Sequence, residues 1–236
     1  MNTMINSTIN TAQSDTIHNT KTPQITPIER RNQKLSERLI KTFQTRGFDA
    51  HYCNNSQEAI AKTLSLIPAG SSVGWGGSDT IRSTGLIKAL YEADCYTLID
   101  RDTAPDLARR TELHRQTLLS DSFLMSANAV SEDGHLVNID GVGNRIAALS
   151  FGPKNVIVIA GINKVVKTLE DAVSRARNTA APINAQRFNA QTPCGTNGSC
   201  ANCRTSGSLC SYIHITRLSN PAGRIKIIFV GENLGY

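Results

Sequence analysis

Short segments rich in Val and Ile recur near residues 49–53, 72–75, 96–100, 122–127, 135–140, 156–160 and 225–230. Helical patterns fall between several of them, at 79–92, 105–119, 144–149 and 164–178, and two more cover 27–43 and 56–66. Strands that alternate with helices need crossover connections, and crossovers set neighbouring strands in parallel. The pattern therefore predicts an α/β fold whose mostly parallel sheet is covered by helices on both faces. Gly47 ends the first helical pattern, and Ser56 is placed to cap the second. Ser131-Glu132-Asp133-Gly134 reads as a hairpin turn, which predicts one antiparallel pair.

Hydrophobic residues make up 39% of the 236, enough for a sizeable core. Residues 1–26 stand apart: they are dominated by Asn, Thr, Ser and Gln and carry almost no charge. Such a segment buries too little to offset its ordering entropy, so a disordered tail over 1–26 is expected, followed by one domain over 27–236. The 25 Lys and Arg outnumber 19 Asp and Glu, a formal charge of +6. That excess is dispersed and stacking aromatics are scarce at 5%, so nucleic acid is not an expected partner. No apolar run approaches the ~20 residues of a membrane-spanning helix, and no secretory leader pattern is visible. A cytoplasmic protein without membrane insertion is expected.

Cys194, Cys200, Cys203 and Cys210 fall within seventeen residues, spaced C-x5-C-x2-C-x6-C with Gly195, Gly198 and Gly207 between them. In a cytoplasmic chain a close cluster of this kind reads as metal ligation or redox chemistry rather than disulfides. Four thiolates on a Gly-rich loop can wrap a tetrahedral zinc or an iron–sulfur cluster. A zinc ribbon has two C-x2-C pairs and only one is present, so an iron–sulfur cluster is favoured, with 4Fe–4S first. His214 is a substitute ligand by position. Cys53 and Cys95, isolated in the sequence, are expected to pack as small apolar residues.

Two further stretches carry polar groups to predicted strand ends. Val73-Gly74-Trp75-Gly76-Gly77-Ser78-Asp79-Thr80 runs from a strand into a helix, so the amides at Gly74, Gly76, Gly77 and Ser78 can face an anion. The same turn also reads as a plain connection capped by Ser78 or Asp79. Glu132, Asp140, Asn144 and Arg145 cluster around the second, where ligands of open α/β sheets bind. The bland reading there is turn capping, with Arg145 paired to Glu132 or Asp140. Lys164 follows Asn163 in what the pattern makes a first helical turn, where a cation runs against the helix dipole and makes sense facing an anionic ligand. His114 and His135 have no nucleophile motif beside them.

These motifs together resemble the lactate-utilisation (LUD) domain family. The resemblance is carried by Val73–Thr80, by Ser126-Ala-Asn-Ala through Asn144-Arg145, and by Phe151-Gly-Pro-Lys154 and Gly161-Ile-Asn-Lys-Val165. Ala181-Pro-Ile-Asn184, Thr192-Pro-Cys194 and Gly231-Glu-Asn-Leu-Gly-Tyr236 complete it. It covers roughly residues 28–236 and includes the C subunit of the bacterial lactate-utilisation complex. It implies a Rossmann-like sheet of the sugar-phosphate isomerase and CoA-transferase type. It also implies a part in oxidising L-lactate to pyruvate beside iron–sulfur partner subunits. The four-cysteine motif belongs to a subset of the family.

The expectation is an iron–sulfur (or zinc) protein in a 2-hydroxy-acid oxidation and electron-transfer system. Cys194, Cys200, Cys203 and Cys210 would hold the centre. Gly74, Gly76, Gly77, Ser78, Asn144, Arg145 and Lys164 would bind a small anionic metabolite, and Glu132 and Asp140 would transfer protons. Iron–sulfur subunits or further copies of the chain, as a homo-oligomer, are the expected protein partners. Two alternatives remain at this point: a non-redox module with structural zinc that senses a phosphorylated sugar or nucleotide, and a sugar-phosphate isomerase-like enzyme.

Overall fold

The computed structural model describes residues 25–236. Residues 1–24 of the expected tail lie outside the described residues, whereas Thr26 caps the first helix, α1 (Pro27–Thr45). Its hydroxyl accepts from the Glu29 amide and the Glu29 carboxylate accepts from the Thr26 amide, which closes a capping box.

Among the described residues ten strands follow in chain order: β1 (Asp49–Cys53), β2 (Ser72–Trp75), β3 (Thr97–Ile99), β4 (Ser122–Met125), β5 (Ala129–Ser131), β6 (Leu136–Asp140), β7 (Asn155–Gly161), β8 (Val165–Val166), β9 (Tyr212–Thr216) and β10 (Ile225–Val230). Six of them form a wholly parallel sheet in the order β1-β10-β7-β4-β2-β3. Alternation along each strand serves two apolar layers. Phe123, Met125, Val156, Val158, Ile227 and Phe229 face Leu35, Leu39 and Phe43 of α1. Val73, Trp75, Leu124, Ile157, Ile159 and Ile228 face the other side. There they meet α2 (Ser56–Ser65), α3 (Asp79–Ser83) and α4 (Leu86–Ala93) through Ala59, Ile81 and Leu90.

The expected single helix over 79–92 is therefore two. Gly85 between them takes a left-handed conformation, φ 82°, and breaks the run. Nor does the antiparallel pair join the main sheet. It belongs to a second, four-stranded sheet in the order β8-β5-β6-β9, in which β6 runs antiparallel to both β5 and β9. Strand β9 escapes the sequence pattern because it lies at the sheet edge with Tyr212, Ile213 and Ile215 exposed. The expected helix over 164–178 starts later, as α7 (Leu169–Arg175), because Thr168 and Asp171 form its capping box. Lys164 thus sits in a 3-10 turn before β8, not in the first turn of an α-helix. Ala172, Ala176 and Ala181 are small enough to bring α7 and the following turns close onto the second sheet. Cys53 is buried as expected, whereas Cys95 is exposed.

Strand order fixes where a ligand belongs. From β2 the chain moves outward to β3, and from β4 it moves the opposite way to β7 and β10, so the connections diverge between β2 and β4. Their carboxyl ends open a crevice at that switch point. Gly161, at the end of β7, packs tightly against the segment around Leu234. A β-carbon there would stand 2.6 Å from the Leu234 amide nitrogen and 2.7 Å from the Glu232 carbonyl oxygen, both backbone. Gly161→Ala is expected to cost about 2 kcal/mol by overpacking, read as a lowered urea midpoint with unchanged slope.

Candidate functional site

A cavity of about 240 Å3 lies at the switch point. Gly77 and Ser78 reach it from the end of β2, Ser126 to Asn128 from β4, and Lys164 from β7. The second sheet contributes Asp140 at the end of β6, and α6 (Asn144–Ser150) contributes Asn144 and Arg145. Buried amides hold this junction: Asn138 Nδ2 donates to the Ser126 carbonyl at 3.0 Å and the Ile139 amide donates to Asn128 Oδ1 at 2.9 Å.

Asp140 and Arg145 are tied together by several hydrogen bonds. Asp140 Oδ2 accepts from the amides of Arg145 and Ile146 at 2.9 and 3.3 Å, and Oδ1 accepts from Arg145 Nε at 3.3 Å. Arg145 also donates to the Ile139 carbonyl. The aspartate thus caps α6 and anchors the guanidinium at once. Gly76 lies under Arg145: a β-carbon there would sit 2.5 Å from Arg145 Cγ, so its absence gives the arginine stem its place.

Arg101 enters from a 3-10 turn after β3, with His114 behind it on α5 (Leu107–Thr117). Arg101 donates to His114 Nε2 at 3.2 Å. A guanidinium only donates, so Nε2 is the acceptor and Nδ1 carries the proton; Asn144 Nδ2 stands 3.2 Å from Nδ1. Burial, then the nearby Arg101 and Arg110, push the His114 pKa down to about 4, so the ring is a neutral spacer at physiological pH.

Lys164 is the deepest cation, 3% exposed. Its Nζ donates to Thr80 Oγ1 at 2.8 Å, Ser126 Oγ at 3.1 Å and the Ala127 carbonyl at 3.2 Å. Among the described residues no carboxylate pairs with it. Burial, then Arg175 and Arg145, lower its pKa to about 7, with Asp79 acting in the opposite sense. Arg187 and Asn184 of α8 (Ala181–Arg187) and the Tyr236 ring complete the wall, with Tyr236 Oη donating to Asn184 Oδ1 at 3.1 Å. The lining holds four basic side chains, Arg101, Arg145, Lys164 and Arg187, against Asp79 and Asp140. The lining is therefore positive on balance.

The residues singled out in the sequence divide accordingly. Gly77, Ser78, Asp140, Asn144, Arg145 and Lys164 converge on the cavity. Gly74 is inside β2, paired to β3 and β4, and the Gly76 amide donates to the Leu124 carbonyl. Ser78 caps α3 by accepting from the Ile81 amide. Glu132 stands in the β5–β6 turn, outside the cavity, where Arg38 and Lys167 donate to its carboxylate. Arg101, His114 and Arg187 carry no motif, and Asn184 and Tyr236 stand in segments that carry the resemblance without a role assigned to them; the five meet only through the fold.

A second, smaller cavity of about 60 Å3 is lined by Cys194, Cys200, Cys203 and Cys210 together. Cys194 lies in α9 (Pro193–Asn197), whose cap Thr192 accepts from the Gly195 amide. All four cysteines are free thiols. Burial, then the three neighbouring thiols, push Cys210 up to about 11, whereas a hydrogen bond from Thr205 lowers Cys203. Among the described residues no group of three or more His, Cys, Asp or Glu stands arranged at metal-binding geometry. The donor set, four soft sulfurs turned to one small space, is nonetheless the chemistry that zinc or an iron–sulfur cluster takes. His214 alternates away from Ile213, which lines that space, and pairs with Asn138.

A family model described as the LUD domain matches residues 36–230. No curated protein sequence matches the chain. Similar solved structures include a DUF162-family protein from Deinococcus radiodurans, 12% identical over 84% of this chain and 97% of that one, TM-score 0.48. Ribose 5-phosphate isomerase A from Neisseria gonorrhoeae is 17% identical over 48% of this chain and 54% of that one, TM-score 0.33. The eIF2B delta structure from Chaetomium thermophilum is 14% identical over 59% and 57%, TM-score 0.35.

Proposed function

The chain belongs to the LUD domain family, and from that premise we propose that its cationic cavity binds a small 2-hydroxy acid, L-lactate or its 2-oxo product, within an oxidation and electron-transfer system. The observation that carries this reading is the convergence of Arg101, Arg145, Lys164 and Arg187 on one small cavity at the switch point of the sheet. Arg145, held in register by Asp140, presents its fork to the carboxylate. Arg101 supports it from the side, backed by the neutral His114. Gly77, Ser78 and Asn144 border the same space and offer polar contacts to the substrate oxygens.

Oxidation of a 2-hydroxy acid to a 2-oxo acid removes two electrons and two protons; this chain would bind the acid and handle a proton, and a two-electron acceptor on a partner subunit would take the electrons. Asp140 is already committed to Arg145 and two amides of α6, so its part is to anchor the arginine. Lys164, with a pKa near neutrality and a place in the cavity wall, is the better proton-handling group: as the neutral amine it would take the hydroxyl proton, and as the ammonium so formed it would face the 2-oxo acid. Glu132, remote from the cavity, has no assigned step.

Cys194, Cys200, Cys203 and Cys210 would hold an iron–sulfur cluster, which supplies one-electron transfer toward partner subunits when bound. Zinc on the same thiolates would instead fix the loop. Anaerobic purification with iron, sulfide and zinc quantification is expected to give about four iron and four sulfide per chain and broad visible absorption, lost in Cys200→Ser. About one zinc and no iron would end the electron-transfer reading. The excess of basic groups over what one carboxylate needs favours a second reading, binding of a phosphorylated sugar or nucleotide. Equilibrium dialysis separates the two: a sugar phosphate bound far more tightly than lactate and pyruvate would replace the first reading by the second.

A further inference from the structure

The two cavities share a wall. Leu209 lines the anion cavity, while its neighbours Ser208 and Cys210 line the thiol cavity. Its backbone lies on Gly141, another residue of the anion cavity: a β-carbon on Gly141 would stand 3.6 Å from the Leu209 carbonyl oxygen. Ile139 of the anion cavity and Ile213 of the thiol cavity are register partners across β6 and β9. Helix α8 spans both sites as well, with Ala181 on the thiol side and Asn184 and Arg187 on the anion side. From that helix Gln186 donates to the Cys194 and Gly195 carbonyls at 3.0 and 3.1 Å.

The loop that carries Leu209 has little else to hold it. Residues 203–210 form no helix or strand. Among the described residues their hydrogen bonds are local: Thr205 Oγ1 to Cys203 Sγ, the Ser208 amide to the Thr205 carbonyl, and the Cys210 amide to Ser208 Oγ. Cys203 and Cys210 bracket this loop, and the opposing thiols sit on or beside α9, which Gln186 ties to α8. A metal centre joining the four sulfurs would fasten an otherwise loosely held loop to the helix that already forms the cavity wall.

We propose that Leu209 is a positioning residue through which metal held by Cys203 and Cys210 completes the anion cavity. The proposal rests on the reading of both cavities as binding sites and adds that neither is independent of the other. Metal raises anion affinity by holding Leu209 against Gly141, and by linkage a bound anion retains the metal by the same factor. The expected gain is on the order of tenfold, within the usual range of coupling between sites.

The test uses the full chain reconstituted with zinc, which is redox-silent, beside the chelated chain, with pyruvate and inorganic phosphate as titrants in a calorimeter. Binding on the order of tenfold tighter in the zinc form is expected, together with slower zinc loss to a chelator when the anion is saturating. Leu209→Gly, which removes no metal ligand and frees the backbone that rests on Gly141, is expected to keep zinc and lose the gain. Equal affinities in the two forms, or a gain preserved in Leu209→Gly, would overturn the coupling and leave the anion cavity standing. Absence of binding by either titrant in either form would overturn the cavity reading and the coupling with it. Failure of the thiols to retain zinc would overturn the coupling alone.

Discussion

Arg145→Ala is expected to reduce binding of pyruvate and phosphate at least a hundredfold and to cost the fold about 3 kcal/mol. The two losses have separate origins. Binding fails because the best-positioned cation of the cavity is gone. Stability falls because Asp140, its side chain 8% exposed, keeps only two amide donors for a carboxylate that had an ion pair as well. Removing one partner of a buried pair typically costs 3–5 kcal/mol, and the remaining amides place this case at the lower end. Asp140→Asn combined with Arg145→Ala separates the effects. Most of the stability is expected to return in the double variant, since no charge is left unpaired, whereas affinity stays lost. Urea denaturation and equilibrium dialysis on the three proteins read both quantities. Binding that returned with stability would make Arg145 a scaffold residue and remove it from the site.

The parts of the fold written as local pattern were legible in the sequence. Six parallel strands, their crossover helices and the Gly-rich turn after β2 follow from alternation, capping residues and glycine placement. The second sheet was not, because β8 is two residues long and β9 is an exposed edge with no clean alternation. The site divides the same way. Arg145, Asp140 and Lys164 stood at strand ends and could be singled out, and so could the four cysteines. Arg101 and Arg187 could not, and Tyr236 stood in a segment of the resemblance without a role, since each reaches the cavity from a different element and no spacing links them. Gly76 was recognised for its amide, but the fold spends that amide on the Leu124 carbonyl and uses the missing side chain as room for Arg145. Glu132 looked equivalent to Asp140 on the page. Strand β6 separates them, so one lies at each end of it and only Asp140 meets the carboxyl ends of the main sheet.

Lys164 gives binding and stability opposite dependences on pH. Burial, then Arg175 and Arg145, hold its amine at about 7 in the folded chain, against 10.5 for an ordinary lysine. Between those values the unfolded chain binds the proton and the folded chain does not, so this group makes stability rise with pH across that window. Anion affinity moves the other way, because the ammonium that faces the ligand is lost above about pH 7. If only the protonated form binds, affinity falls up to tenfold per pH unit there, and binding at pH 8 takes up a proton from buffer. Calorimetry in buffers of different ionisation enthalpy measures that uptake directly. Lys164→Met, of similar length and without charge, is expected to remove the proton uptake and to weaken binding at pH 6 at least tenfold. It should also flatten the stability slope between pH 7 and the alkaline limit, though Thr80, Ser126 and the Ala127 carbonyl each lose a donor. An affinity that stayed level from pH 6 to pH 9 in the unmodified chain would show that the ammonium serves those three oxygens alone. The anion would then be held by the arginines, and Lys164 would be a strut of the cavity floor rather than its proton-handling group.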